Sequence, residues 1–190
     1  MSTVTIDFNR DHFAGQLHNE ERKLLFETIY NMRPKVVCEV GTCRGGGSTY
    51  YIAKALECAG GNDGVLFTIE NNPEFIAYRT HLYESTEEFI ALKDRIVFIV
   101  GNSLSVYPDI LKNLKSIDVC MLDGAEDSLQ NLYEFCMFKP FIPVGGILFC
   151  HDWDTLKTDF LRPVIDQDKD WKIEVIEKGL AMIKRIDCKY

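Results

Sequence analysis

Along the chain, short and almost uninterrupted apolar runs alternate with longer stretches in which apolar residues recur at helical spacing. The first such stretch has Asn19 as its cap, Glu20 and Glu21 in its first turn, and Leu24, Leu25, Ile29 and Met32 as its apolar stripe before Pro34 stops it. Lys35 to Val40 then reads as a strand. A glycine-rich turn, GTCRGGGS at 41–48, leads into a helix near Thr49 to Cys58, which GNDG at 61–64 separates from a second strand, VLFTIE. Pro73 suits the first turn of a helix running towards Leu92, because proline's missing amide hydrogen has no helical partner there. IVFIV at 96–100, IDVCML at 117–122 and GILFC at 146–150 supply three more strands, each apolar throughout, as expected where both faces of a sheet are covered. The ending differs. WKIEVIEKGLAMIKRI splits at Lys178-Gly179 into two alternating runs and reads as a β-hairpin. The pattern predicts an α/β, doubly wound sheet of seven strands, mostly parallel and finished by an antiparallel C-terminal hairpin strand.

The 190 residues suit one domain over 1–190, with residues 1–33 as a helical N-terminal extension. With 46% apolar and 26% charged residues, the chain has enough material for a buried core and is not of disordered composition. A net charge of −8 argues against a surface that captures phosphate backbones, so no nucleic-acid partner is expected. Asp7, Arg10 and Asp11 fall where a secretion signal would be apolar, and no run reaches membrane-spanning length. The expectation is a cytoplasmic protein with no membrane partner. The seven cysteines form no C-x-x-C pair, and Cys38, Cys120 and Cys150 lie within strands as small hydrophobes, which fits a reducing compartment.

Open parallel sheets bind ligands beyond the carboxyl ends of their strands. Here those ends read Glu39-Val40-Gly41, Glu70-Asn71-Asn72, Gly101-Asn102-Ser103, Asp123-Gly124-Ala125-Glu126 and His151-Asp152-Trp153, each polar or glycine-containing after an apolar run. The segment EVGTCRGGGS has the glycines that let backbone approach a ligand and a following helix that offers free amides. It lacks the second glycine of G-x-G-x-x-G, where Cys43 stands, and no G-K-[ST] follows, so neither a dehydrogenase fingerprint nor a nucleoside-triphosphate loop is present. The alternative for this segment is a purely structural turn. Glu70 can accept hydrogen bonds from both hydroxyls of a ribose; the alternative is a solvated strand-end acid.

In this order, VVCEVGTCRGGGS, FTIE, VGNS, MLDGAE and PVGGILFCHDW, the chain resembles the class I S-adenosylmethionine-dependent methyltransferases, with their Rossmann-like sheet, over roughly residues 17–187. Within them it is most similar to the small O-methyltransferases of the catechol type and their cephalosporin-hydroxylase-like relatives. The resemblance implies S-adenosylmethionine as cofactor, held at its methionine end by Gly41 and the loop to Ser48, at its ribose by Glu70 and at its adenine by Asn102 and Ser103. Asp123 would lie near the transferable methyl, and Glu39, Thr42 and Asn71 are counted among the cofactor contacts. The implied reaction is O-methylation of a small hydroxylated acceptor, such as a sugar or a natural product. Asp123, His151 and Asp152 form the candidate catalytic edge.

The catechol type carries an Asp-Asn pair where this chain has His151-Asp152, and there the Asp after strand four and that pair bind magnesium. Asp123 and Asp152 are the candidate ligands here for a divalent metal. An imidazole in the shell disfavours magnesium, and adjacent side chains on an extended strand point to opposite faces. His151 is alternatively a general base near neutral pH, or a strand-end histidine bound to backbone. His12, His18 and His81 are read as structural. Cys43 is either a reactive thiol beside the cofactor or a residue small enough for the turn. Of Tyr50, Tyr51, Trp153 and Phe160, Trp153 is the one placed to line a ligand pocket. With little sequence available for a lid, a homodimer partner is a candidate for the acceptor's missing wall. Two other functions stay open: a metal-dependent hydroxylase-like relative on the same scaffold, and a module that binds S-adenosylmethionine without turnover.

Overall fold

The apolar runs form the centre of one sheet. A computed structural model describes residues 6–9, 16–60 and 63–187; His12 and Cys188 lie outside them. Seven strands, β1 (Val36–Val40), β2 (Val65–Glu70), β3 (Ile96–Val100), β4 (Val119–Leu122), β5 (Ile147–Cys150), β6 (Trp171–Glu177) and β7 (Leu180–Arg185), stand in the order β3-β2-β1-β4-β5-β7-β6. The first five are parallel, while β7 is antiparallel to β5 and to β6. This is the doubly wound, Rossmann-like architecture expected from the sequence.

Helices cover both faces, which is why the central strands carry apolar residues without alternation. On one face, Val37, Leu66, Met121 and Phe149 pack against α1 (Asn19–Met32) and α2 (Ser48–Cys58) through Leu25, Ile29, Ile52 and Leu56. Also on this face are α3 (Pro73–Ser85) and α4 (Glu87–Ile90), which bring in Tyr83 and Phe89. On the other face, Cys38, Cys120, Leu148 and Cys150 pack against α5 (Ser103–Leu111), α6 (Ser128–Phe138) and α7 (Leu161–Gln167). Among the described residues, no helix is long and apolar enough to cross a membrane.

Three local expectations change. The helix from Pro73 does not run to Leu92: it stops at Ser85, and Thr86 adopts an extended conformation before α4. That break turns Phe89 fully inward, where its ring meets those of Tyr50 and Tyr83. The cap of α1 is His18, not Asn19, and its backbone N–H donates to Glu21 Oε2 at 2.6 Å. Strands β4 and β5 begin one or two residues later than their apolar runs. Asp118, just before β4, accepts from the backbone N–H groups of Lys35 and Val36 at 2.7 and 3.0 Å and so ties the start of β1.

Candidate active site

The chain order reverses between β1 and β4, the position at which an open α/β sheet leaves a crevice. The loops leaving these two strands press together there. Gly41 has φ +98°, and a Cβ on it would come within 2.7 Å of the Gly124 Cα, so both the conformation and the space call for glycine. The Gly41 and Thr42 N–H groups both donate to the Ile69 carbonyl at 3.1 Å, which pins the turn to the end of β2. Cys43 follows at φ +50° and donates its N–H to Glu70 Oε2 at 2.8 Å, while Glu70 Oε1 accepts from Asn71 and Asn72 N–H at 2.9 Å each. Glu70 is thereby fixed at the rim, close to the glycine turn. A carboxylate offers about four acceptor sites, so these three bonds leave about one, on Oε2, for a hydroxyl donor.

A cavity of about 310 Å³ opens beside it, lined by Gly41, Thr42, Cys43, Ser48, Glu70, Asn71, Asp123 and Lys157, with Gln16 and Leu17 ahead of α1 forming part of its wall. A smaller adjoining cleft is lined by Gly41, Glu70, Asn71, Asn102 and Ser103. Asn71 is exposed and borders both.

Several residues expected to meet a ligand are engaged elsewhere. Glu39 is buried beneath the turn and accepts from the Thr49 and Thr68 hydroxyls at 2.6 and 2.5 Å. Burial outweighs those bonds and pushes its carboxyl up to about 7. Its place is in the foundation of the site. The Thr42 hydroxyl pairs with that of Thr68 at 2.6 Å. Asn102 caps α5 by accepting from Leu104 N–H at 3.0 Å, and the buried Ser103 donates to Glu134 Oε1 at 2.5 Å. At the smaller cleft these two therefore have their side-chain oxygens already bonded within the protein. Burial raises the Cys43 thiol, which disfavours its thiolate form. Trp153 is buried in the core on the α5–α7 side, as Tyr50 and Tyr51 are on the other, and Phe160 is exposed. His81 is exposed on α3.

The reaction edge is more crowded than its sequence suggested. Asp152 adopts φ +56°, so the chain turns after β5 and both His151 and Asp152 reach the same site. Their ligand atoms and one from Asp123 lie within 4.8 Å of one another. His151 Nδ1 is 2.9 Å from Asp123 Oδ1, and its Nε2 is 3.6 Å from Glu21 Oε2. Burial opposes protonation of this ring, but the bonds and charges of Asp123, Glu21 and Asp152 prevail and push it up to about 10. A histidine so held favours its protonated form and is bonded to the carboxylates on both sides.

Glu21 and Lys157 were not singled out in the sequence. Glu21 read as an ordinary first-turn acid, yet it is fully buried and also accepts from Gly179 N–H at 2.8 Å. Burial alone would raise its carboxyl; His151 and the His18 and Gly179 N–H groups hold it below the usual value. Lys157 sits in an unremarkable polar segment, and its Nζ reaches Asp123 Oδ1 at 3.0 Å and Asp152 Oδ2 at 3.2 Å. Burial would lower this ammonium, but the two carboxylates raise it. A divalent metal bound by Asp123 and Asp152 would have to share their facing oxygens with a cation already there. The donor set as arranged does not fit a metal.

A family model described as a methyltransferase domain matches residues 38–153, from β1 to the turn after β5. The chain belongs to that family. Membership bears out the expectation of a methyltransferase enzyme. Among solved structures, this methyltransferase-domain chain is similar to an O-methyltransferase from Bacillus cereus in complex with SAH, at 16% identity and TM-score 0.72, covering 92% of this chain and 84% of that one. It is also similar to an O-methyltransferase from Streptomyces achromogenes in complex with SAM, at 17% identity and TM-score 0.72, covering 95% and 85%. An SAH-bound methyltransferase from Podospora anserina aligns at 15% identity and TM-score 0.70, over 90% and 80%. At such identities the likeness establishes the fold. No curated protein matches the chain in sequence.

Proposed function

We propose that this protein transfers a methyl group from S-adenosylmethionine to a hydroxyl oxygen of a small acceptor. The observation that carries the reading is the single cavity in which Glu70, anchored by three backbone N–H groups, shares walls with the Gly41 turn and with Asp123. The SAH and SAM named with the similar O-methyltransferase structures support the same cofactor.

In this reading Glu70 accepts a ribose hydroxyl, the Gly41–Ser48 turn holds the methionine end, and the smaller cleft at Gly101–Ser103 takes the adenine through backbone and Asn71. Bound S-adenosylmethionine supplies a methyl on a positively charged sulfur, open to in-line attack. The residues of the reaction edge align the acceptor's oxygen with that carbon and accept its proton. Alignment supplies much of the acceleration in such a displacement. Asp123 lines the cavity and, with Asp152, offers the carboxylates on this side, while His151 keeps them in place. The net charge of −8 favours a small acceptor over nucleic acid.

Calorimetric titration with S-adenosylmethionine and S-adenosylhomocysteine tests the reading. One site per chain with micromolar affinity, on the order of 8 kcal/mol, is expected. Absence of heat with both compounds, in folded protein, would remove it.

A further inference from the structure

The reaction edge contains its own cation. Lys157 lies on a 3-10 turn, Leu156–Thr158, that is fastened on both sides: the Thr155 hydroxyl accepts from Lys157 N–H at 3.3 Å, and the Thr158 hydroxyl donates to the Trp153 carbonyl. Its side chain is only 6% exposed, so the stem has little freedom to swing into solvent. At its end, Nζ stands between Asp123 and Asp152, the two carboxylates of the group that could otherwise hold a metal ion. The remaining member, His151, has both ring nitrogens turned towards carboxylates, Asp123 on one side and Glu21 on the other.

A divalent ion binds carboxylate oxygens at about 2.0 to 2.6 Å, which is the space the ammonium fills. Two cations cannot both sit between the same pair of carboxylates without strong repulsion at such range. The ammonium has three N–H donors. Asp123 and Asp152 take two of them, and Lys157 also borders the cavity that Glu70 and Gly41 line. The third is therefore placed for a ligand oxygen in that cavity.

We propose that Lys157 stands where the catechol type holds its divalent metal: its ammonium neutralises Asp123 and Asp152 and holds the acceptor's oxygen, and the protein has no divalent-metal site at this edge. The acceptor half of the statement rests on the methyl-transfer reading above. The cation half does not.

The test is titration of the purified protein with Mn²⁺, following free Mn²⁺ by electron paramagnetic resonance and the melting temperature in parallel. Wild-type protein is expected to leave the free-ion signal undiminished and to melt at the same temperature with Mn²⁺ or with EDTA. Lys157→Ala frees the two carboxylates and is expected to take up about one Mn²⁺ per chain and to melt higher in its presence, because a ligand of the folded state stabilises it. Lys157→Arg keeps the charge and is expected to bind none. Stoichiometric uptake by the wild type would overturn the proposal, as would a folded Lys157→Ala protein that takes up no Mn²⁺. Where Lys157→Ala does not fold, the wild-type titration decides. S-adenosylhomocysteine binding, measured on the wild-type sample, separates the two readings: its absence counts against methyl transfer, whereas Mn²⁺ uptake by the wild type counts only against the lysine.

Discussion

Gly41 and Gly124 face each other across the point where the sheet reverses direction, so closely that a Cβ on Gly41 would lie 2.7 Å from the Gly124 Cα and 2.8 Å from the Asp123 carbonyl carbon. The contact joins the turn that borders the larger cavity to the loop that carries Asp123. Gly41→Ala combines a backbone conformation unfavourable by about 1–2 kcal/mol for an L-residue with a clash against main chain that cannot move aside. The variant is expected to lose more than about 2 kcal/mol of stability, read from its urea midpoint. An unchanged midpoint would mean that the two loops are not packed as described.

Glu70 makes a sharper test of the cavity. Glu70→Ala should weaken S-adenosylmethionine binding by about 1–3 kcal/mol if its carboxylate accepts a ribose hydroxyl. Glu70→Gln, which retains one acceptor oxygen, should fall between the two. Calorimetry on the three proteins gives the order, and equal affinities would withdraw Glu70 from the ribose.

Glu39 predicts a pH dependence of stability. Its carboxyl is raised from 4.5 to about 7 by burial in the folded protein. Between those values the folded state binds the proton more tightly than the unfolded chain does, so stability is highest below the unfolded value and falls as the pH rises towards 7. The difference amounts to about 3 kcal/mol. Glu39→Gln has no proton to lose, and its urea midpoint should decline less between pH 4.5 and pH 7 than that of the wild type. Parallel profiles for the two proteins would contradict the assignment.

Glu21 ties three distant segments together. It accepts from the His18 and Gly179 N–H groups and faces His151, while the Gly179 carbonyl in turn accepts from Trp153 N–H at 2.9 Å. Glu21→Ala would leave the Nε2 side of the buried His151 ring and two backbone donors without partners, at an expected cost of about 3 kcal/mol or more. Glu21→Gln keeps one acceptor and should cost less. Chemical denaturation measures both, and a near-neutral Glu21→Ala would show that α1 is not anchored through this carboxylate.

The order of strands and helices was legible because the information is local. A run such as IVFIV can hide all its side chains only between two helical layers, and the alternation in WKIEVIE marks a strand with one open side. The rim was legible for the same reason: parallel strands end on the same side, so Gly41, Glu70 and Asp123 had to meet there. The helix break at Thr86 was not, since it depends on the fit of Phe89 between Tyr50 and Tyr83, rings supplied by other helices.

Residue order thus carried the sheet, its reversed ending and the polar rim, all of which follow from short-range periodicity and the direction of the strands. The ionic composition of the site lay beyond it. Lys157 meets Asp123 from 34 residues away, and Glu21 meets Gly179 from 158. Glu39, one residue before Val40 on the same strand end, faces into the core while Glu70 stays at the rim. Whether a charged side chain serves a ligand or another part of the protein depends on what is folded against it, and no spacing along the chain encodes that.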